Sequence, residues 1–517
     1  MGACLLAPVL GAVVVGIALI TGASGGDLAA ATYRIDLFRR VGLALWDPGW
    51  YAGHWTLGYS VLFAPIGAAL GIAGTDLVCA VLGAWALDRL LAPRFGRLGH
   101  GAAVLYALGT VVQVAVGRVP FLLGETLALV ALLCATRRLW PLALLLGVAA
   151  SLASPLAGAF LAIAACAWLL AELPRRNLGA GALVVAALAP IGTLELLFPG
   201  QGPMPFSTLD FVGMLVGVAG LGLLLEPSQR ALRFGVWLYG AAGILSYLIP
   251  SALGVNITRL GTSVGLSLLL CIAPVLAVRG RLTLAAPART WRARALFAGA
   301  FVALALGEWV PAGGALLGAS NPSSSAAYFR PLIAYLVAHD HPLGRIEVVP
   351  TATHWESVYV ALRLPLARGW ERQLDTADNP LFYGGRLDAR TYRAWLTHNG
   401  VRFVALATAP LDYASDAEAA LLRRGVTGLR LVWRDEHWRV WEVRGAPAIL
   451  SGPGRFVSER GSSLTLVATR PGRIIVRERW SSHWGVVGGG ARLGRSAGGW
   501  IAVQARRSGR IVLSIAV

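Results

Sequence analysis

The chain has 517 residues, of which 56% are hydrophobic and only 14% charged, with a mean hydropathy of +0.65; these proportions exclude an ordinary soluble globular protein and describe a polytopic membrane protein. The formal net charge is +19, but much of the arginine lies in short loops between apolar runs. There it reads as a topology signal and not as a nucleic-acid footprint.

Every one of the 45 cations is an arginine. Without lysine there is no phosphate loop of the Walker type, no Schiff base and no lysine general base, which argues against an ATP-driven pump.

In chain order, residues 4–22 form an apolar run that lacks the basic start of a cleaved leader and is read as a retained helix. The stretch from Gly25 to Ser60 then holds nearly all the polar chemistry of the first seventy residues. Leu28, Ala31, Ile35, Phe38 and Leu45 recur at helical spacing, which predicts an amphipathic helix on a membrane surface. Asp36, Arg39 and Arg40 fall on its wet face, whereas Arg34 and Asp27 fall near the boundary that faces the protein. The segment WDPGWYAGHW is rich in aromatic and turn residues and suits the interfacial level of a bilayer.

Further apolar runs, each about long enough to cross a bilayer, lie at 76–92, 100–117, 119–136, 139–153, 155–171, 178–198, 208–225, 231–250, 260–278 and 295–312. With the first run this makes about 11 spans. A shorter run at 58–73 is broken by Pro65 and three glycines. Read as re-entrant, it places the segments Arg89–Arg97, Arg137–Arg138, Arg175–Arg176, Arg230–Arg233 and Arg279–Arg294 all on the cytoplasmic side. The N-terminus is then cytoplasmic, and the loop 23–57 and everything after residue 313 are outside. All five cysteines, Cys4, Cys79, Cys134, Cys166 and Cys271, lie in apolar segments, so neither a disulfide nor a thiolate metal site is expected.

After residue 313 the composition becomes that of a soluble domain. Helices are expected at Ala326–Ala338, Thr391–His398 and Asp416–Arg424, and strands at Arg345–Val349, VRFVALA, LRLVW and WRVWEV. From Ser451 to Val517 alternating runs separated by Gly and Ser predict a small β-sandwich. The domain reading is therefore a transmembrane domain at 1–313, an extracytoplasmic α/β region at 314–447 and a β-sandwich at 448–517.

Under this topology the polar residues at the outer membrane face are Asp27, Arg34, Asp36 and His54 from the first loop, Arg118 and Glu125 on the fourth span, Ser154 in the turn Ala153-Ser154-Pro155, and Asn256 and Arg259 before the tenth. Glu125, inside VPFLLGETLALV, is the clearest ionisable group within a span. Structural roles compete for each residue: an N-cap for Asp27, snorkelling anchors for Arg118 and Arg259, and an ion pair between Glu125 and Arg118. A carboxylate and several arginines at one boundary suit a lipid-linked phosphate. Arginine offers a planar fork to phosphate oxygens, and a carboxylate can take the proton of an attacking hydroxyl.

One helix, an outward loop that opens with Asp, a W-x-x-G-x-x-x-x-G-Y segment, a proline-broken half-helix, many spans and an outer C-terminal domain together resemble the GT-C superfamily of membrane glycosyltransferases. The stretch LWDPGWYAGHWTLGYSVLFAPIGAALG is most similar to bacterial membrane proteins described as 6-pyruvoyl-tetrahydropterin synthase-related, although no pterin chemistry is visible here. HWESVYVALRLPLARGWERQLD and NPLFYGG resemble segments of their outer domains. The resemblance implies a general base in the first outer loop, Asp27 with Asp36 as the alternative, and a polyprenyl-phosphate-linked sugar as donor. The paired-acid form D-x-D or D-D is absent, so a divalent cation stays open as a cofactor.

The expected function is inverting transfer of a sugar to an envelope glycan or lipid acceptor at the outer face of the plasma membrane. Arg118 and Arg259 are assigned to the donor phosphate from topology, and Arg34, His54, Glu125 and Asn256 complete the candidate binding set. The rivals are a transporter or flippase for lipid-linked sugars and a non-catalytic envelope scaffold.

Overall fold

A computed structural model describes residues 3–22, 25–174, 177–200, 202–282, 287–318 and 321–515. Arg175 and Arg176, and residues 283–286 of the Arg279–Arg294 segment, lie outside the described residues, as do the side chains of Cys4 and Arg279. The chain divides into two compact units. One comprises Met1–Gly25, Tyr59–Leu196 and Pro203–Leu317, the other Gly26–Gly58, Leu197–Gly202 and Gly318–Val517.

The helices up to residue 318, in chain order, are α1 (Ala3–Ile20), α2 (Gly26–Val41), α3 (Phe63–Phe95), α4 (Arg97–Val116), α5 (Val119–Thr136), α6 (Trp140–Ala153), α7 (Pro155–Ala171), α8 (Leu178–Leu197), α9 (Thr208–Leu224), α10 (Arg230–Leu248), α11 (Thr258–Leu282) and α12 (Pro287–Gly318). All but α2 build the first unit. Among the described residues seven stretches are long and apolar enough to cross a membrane, Phe63–Phe95, Arg97–Val116, Val119–Thr136, Leu178–Leu197, Arg230–Leu248, Gly254–Ala273 and Trp291–Ala315, while α1, α6, α7 and α9 are apolar but shorter. This fits a helical membrane protein.

The helix ends follow local chemistry. Prolines occupy the first turns of α5, α6 and α7, where the missing N–H leaves no bond unmade. Ser154 caps α7 by accepting from the Ala157 amide. The runs at 58–73 and 76–92 join into the single element α3, whose helical backbone is interrupted at Gly71 (φ 71°, ψ 167°). Pro65 lies in the first turn of this helix and is tolerated there, so the break falls at the glycine that can adopt a positive φ.

The second unit contains a mixed sheet and a sandwich. In chain order it has α2, the two-residue strands β1 (Trp46–Asp47) and β2 (His54–Trp55), α13 (Ala326–His339), β3 (Arg345–Val348), α14 (Glu356–Tyr359), α15 (Arg372–Asp378), α16 (Ala389–His398), β4 (Val401–Ala407), α17 (Asp416–Arg424), β5 (Leu429–Arg434) and β6 (Trp438–Val443). The sheet order is β3-β4-β6-β5, with β3 parallel to β4 and the other pairs antiparallel. Alternate residues of β4 enter different cores. Phe403, Ala405 and Ala407 pack with α13 and α2, and Val404 and Leu406 pack with α16 and α17.

Strands β7 (Leu450–Ser451), β8 (Gly454–Arg460), β9 (Ser463–Ala468), β10 (Gly472–Arg479), β11 (Trp484–Gly488), β12 (Ala491–Arg495), β13 (Trp500–Ala505) and β14 (Gly509–Ile515) form two four-stranded antiparallel sheets. Their orders are β12-β13-β10-β7 and β11-β14-β9-β8. Ile474, Val503, Leu466 and Ile511, from both sheets, share one core.

The unit containing this β-rich region also takes in the polar stretch Gly26–Gly58, which the domain reading from sequence grouped with the transmembrane part. Ala29, Ala30, Tyr33 and Leu37 of α2, with Trp50 and Tyr51, belong to the same core as Leu332, Ile346 and Trp438. Trp46 enters the sandwich core instead. An apolar stripe at helical spacing has the same form whether it faces lipid or protein; the side of α2 in this core is Ala29, Ala30, Tyr33 and Leu37, not the stripe of Leu28, Ala31, Ile35, Phe38 and Leu45, of which Ala31 and Ile35 are also buried.

Candidate functional site

Four of the sequence-derived candidates lie in the second unit, and a dense buried ionic cluster lies with them. The segment HWESVYVALRLPLARGWERQLD supplies most of it. His354 adopts a left-handed backbone (φ 56°), a conformation that costs a non-glycine residue about 1 kcal/mol or more and that collects at functional positions. Its ring stacks on Trp370, with centroids 3.5 Å apart and planes 5° from parallel. His354 Nε2 lies 3.2 Å from Asp412 Oδ2, and the same oxygen accepts from Arg372 Nη2 at 2.7 Å. On the other side, His354 Nδ1 is 3.4 Å from Glu356 Oε1, and Glu356 Oε2 accepts from the Thr351 hydroxyl at 2.7 Å.

The charges in this cluster set one another. Burial works against a proton on His354, but the hydrogen bonds and charges of Asp412 and Glu356 outweigh it and raise the imidazole above its ordinary range. Burial likewise opposes charge on Asp412, yet His354 and Arg372 hold that carboxyl well below the usual carboxylate range. Arg372 also lies over three rings, with its guanidinium carbon 4.9 Å from the Trp370 centroid, 5.6 Å from that of Tyr383 and 4.8 Å from that of Tyr413. Tyr413 is 68% exposed. The result is a fixed cation framed by aromatic faces, one of them open to solvent.

Asp27 is the second residue of α2, inside the first helical turn. A Cβ built on its neighbour Gly26 would come within 3.4 Å of His354 Cδ2 and 3.7 Å of Trp370 Cζ2. The start of α2 is therefore set against the His354–Trp370 stack. Arg34, two helical turns further on, is buried and forms an ion pair with Glu371, next to Trp370 in sequence. Its guanidinium carbon is 5.8 Å from the Trp50 ring.

His54 stacks on that same Trp50, with centroids 5.6 Å apart. Burial, and then the Arg34 charge, push the His54 imidazole down to about 3, so it is neutral at physiological pH. Asp36 stands apart from this cluster and pairs at 3.7 Å with the exposed Arg39.

The other four candidates lie in the first unit. Arg118 is the N-cap residue of α5, and the Arg259 guanidinium carbon is 5.6 Å from the ring of Phe121 in the first turn of that helix. Asn256 occupies the short 3₁₀ turn Gly254–Ile257 just before α11. Glu125 is buried, and among the described residues neither of its oxygens has a hydrogen-bond partner, so the pairing with Arg118 suggested by their spacing does not form there. Its electrostatic neighbours include Tyr106, Ser263 and Glu308. Glu308, in the middle of α12, is itself only 4% exposed.

Sequence reasoning missed His354, Asp412, Arg372 and Glu371 as a cluster, and Glu308 and Asp76 as buried acids. The signal for the first group was the density of charge and aromatics in HWE and GWERQLD. Among the described residues no three His, Cys, Asp or Glu side chains converge as a metal site, and Cys79, Cys134, Cys166 and Cys271 are free. No protein-family model and no curated protein matches this chain, so the comparisons assign it to no family.

Proposed function

We propose that the protein is a GT-C-like glycosyltransferase of the plasma membrane, with the four shorter apolar helices also crossing, that moves a sugar from a polyprenyl phosphate to an envelope acceptor. The observation that carries this reading is the position of Asp27, in the first turn of a packed helix beside the His354–Trp370 stack. A carboxylate on a rigid element keeps the geometry that a general base needs. The aromatic face of the exposed Tyr413 suits the apolar faces of sugar rings.

In this reaction Asp27 takes the proton of the acceptor hydroxyl as its oxygen bonds to the anomeric carbon. The bond from that carbon to the phosphate oxygen breaks, and the phosphate leaves with the electron pair, with inversion. Arg372 and Arg34 fix the surrounding charge, each through its own carboxylate. Metal dependence remains part of the proposal.

The test is transfer of radiolabelled sugar from a panel of polyprenyl-phosphate donors by the purified full-length protein in lipid. Asp27→Asn is expected to lower transfer by about a hundredfold or more with the fold intact. Equal transfer by wild type and variant would remove Asp27 as the base. No transfer from any donor by folded protein would remove the enzyme reading.

A second reading, a carrier or flippase for lipid-linked sugars, is favoured by the buried carboxyls Glu125 and Glu308 inside the helical unit. Ionisable groups within a membrane bundle commonly mark a transport path. Glu308→Gln separates the two, because it should leave sugar transfer unchanged and abolish transport.

A further inference from the structure

The sandwich carries a concentration of cations at one end that neither the sequence motifs nor the proposed reaction uses. Strands β8, β10, β12 and β14 all begin at this end, and in each the second residue is an arginine: Arg455, Arg473, Arg492 and Arg510. Register places them in two rows. Arg473 and Arg492 both lie opposite Gln504 on one sheet, and Arg455 and Arg510 both lie opposite Val467 on the other. The residues that follow them on β10 and β14, Ile474 and Ile511, point into the core, so by strand alternation these rows face outward.

The turns at the same end add Arg470 between β9 and β10, and Arg506 and Arg507 between β13 and β14. All seven side chains are exposed. Within the sandwich no free carboxylate answers them. From Gly452 to Ile515 the only acids are Glu459 and Glu478. Glu459 is at the far end of β8, and Glu478 is buried, accepting from Trp46 and Arg345.

Between the turns lies an open cleft of about 280 Å³, lined by Gly489, Gly490, Arg507, Ser508, Gly509 and Arg510. Gly489 has φ +96°, and a Cβ there would meet the Arg510 carbonyl oxygen at 2.4 Å. Only glycine lets the two backbones approach this closely.

We propose that this end of the sandwich binds a linear polyanion, a polymer chain with phosphate or carboxylate groups along its length. Uncompensated like charges repel, and seven at one end are stabilised by an anionic partner. Arginine presents a fork matched to phosphate and carboxylate oxygens. Two rows on opposite sheets, joined over the tip by Arg470, Arg506 and Arg507, form a belt that a flexible chain can follow. The tip turns carry no exposed aromatic or leucine to enter a lipid interface, which favours a polymer over a bilayer surface. This binding does not depend on the glycosyl-transfer reading.

The test uses the full-length protein in nanodiscs of zwitterionic lipid, with fluorescent inorganic polyphosphate as the probe. Wild type is expected to bind, with affinity falling steeply, by about a thousandfold, as salt rises from about 50 to about 200 mM. The triple variant R506Q/R507Q/R510Q should bind at least tenfold more weakly and with a shallower salt dependence. R460Q/R495Q, at the opposite strand ends, should stay within twofold of wild type. Three results would overturn the proposal: no binding by wild type, an equal loss in the control pair, or loss of wild-type binding in nanodiscs of anionic lipid. The last would show that the basic end docks on lipid headgroups.

Discussion

Arg34 and Glu371 are 337 residues apart in the chain and form an ion pair with both side chains less than 10% exposed. The pair fixes α2 to the segment that leads into α15. Breaking it from one side leaves a buried charge without its partner, so Arg34→Met should cost about 3–5 kcal/mol. The double variant Arg34→Met, Glu371→Met should recover most of that, because an apolar pair of similar volume removes both desolvation penalties. Thermal unfolding followed by tryptophan fluorescence checks this. A double variant no more stable than the single one would show that the pair does not act as a unit.

The same geometry bears on which piece of the chain can fold alone. A fragment starting at Gly318 lacks Tyr33, Trp50 and Tyr51, which are buried in the α/β core, and Trp46, which is buried in the sandwich core. Fully burying one large side chain is worth about 1.5–3 kcal/mol, so losing four removes about 6–12 kcal/mol, comparable to the whole margin of a typical domain. The fragment should be unfolded or aggregated when expressed alone. Fusing residues 26–58 to it through a flexible linker should restore a cooperative unfolding transition by circular dichroism. A fragment that melts cooperatively without them would contradict the shared core.

His54 and His354 give opposite pH dependences. The folded-state value of His54 lies at about 3 against an ordinary 6.5, because burial and then Arg34 disfavour its charged form. The unfolded chain therefore takes up a proton below about pH 6.5 that the folded chain refuses, and stability falls by about 1.4 kcal/mol per pH unit on the acid side. His354 is raised, against the cost of burial, by Asp412 and Glu356. Its contribution is complete below about pH 6.5 and is lost as pH rises through the raised folded value. His54→Gln should flatten the acid limb of the unfolding midpoint against pH, and His354→Gln the alkaline limb. The same profile in both variants would refute the assignment.

Local order was legible in the sequence where a single element decided it. The alternating runs after Ser451 specify strands, Asn399-Gly400 closes α16 just before β4, and Ser154-Pro155 starts α7, because each of these depends on neighbours in the chain. The membership of α2 was not legible. Its stripe of Leu28, Ala31 and Ile35 meets the same periodicity test on lipid or on protein, and the residues that cover its Tyr33 and Leu37 side lie about three hundred positions away. Glu308 was hidden for a related reason: one acid in a run of Ala, Leu and Val barely changes the hydropathy that marks a span. Of the candidates, Arg34 was expected to face the protein and does. The Arg118–Glu125 pair was read from helical spacing, but spacing does not fix side-chain direction.

The exposed Tyr413 and the buried Arg372 separate binding from scaffold in the proposed acceptor site. Tyr413 is 68% exposed and presents one face to the Arg372 guanidinium, so removing its ring should change stability by less than about 0.5 kcal/mol. If sugars stack there, Tyr413→Ala should weaken acceptor binding by about tenfold, since such an aromatic contact is worth about 1 kcal/mol or more. Arg372→Gln is different in kind. It strips Asp412 and the Tyr383 hydroxyl of their shared donor and should lower the unfolding midpoint by several degrees, with acceptor binding lost as a consequence. Calorimetric titration of the folded protein with oligosaccharide acceptors, set beside the melting temperatures, distinguishes the two effects. Unchanged affinity in a stable Tyr413→Ala would remove this surface from the acceptor site and leave Arg372 a structural role alone.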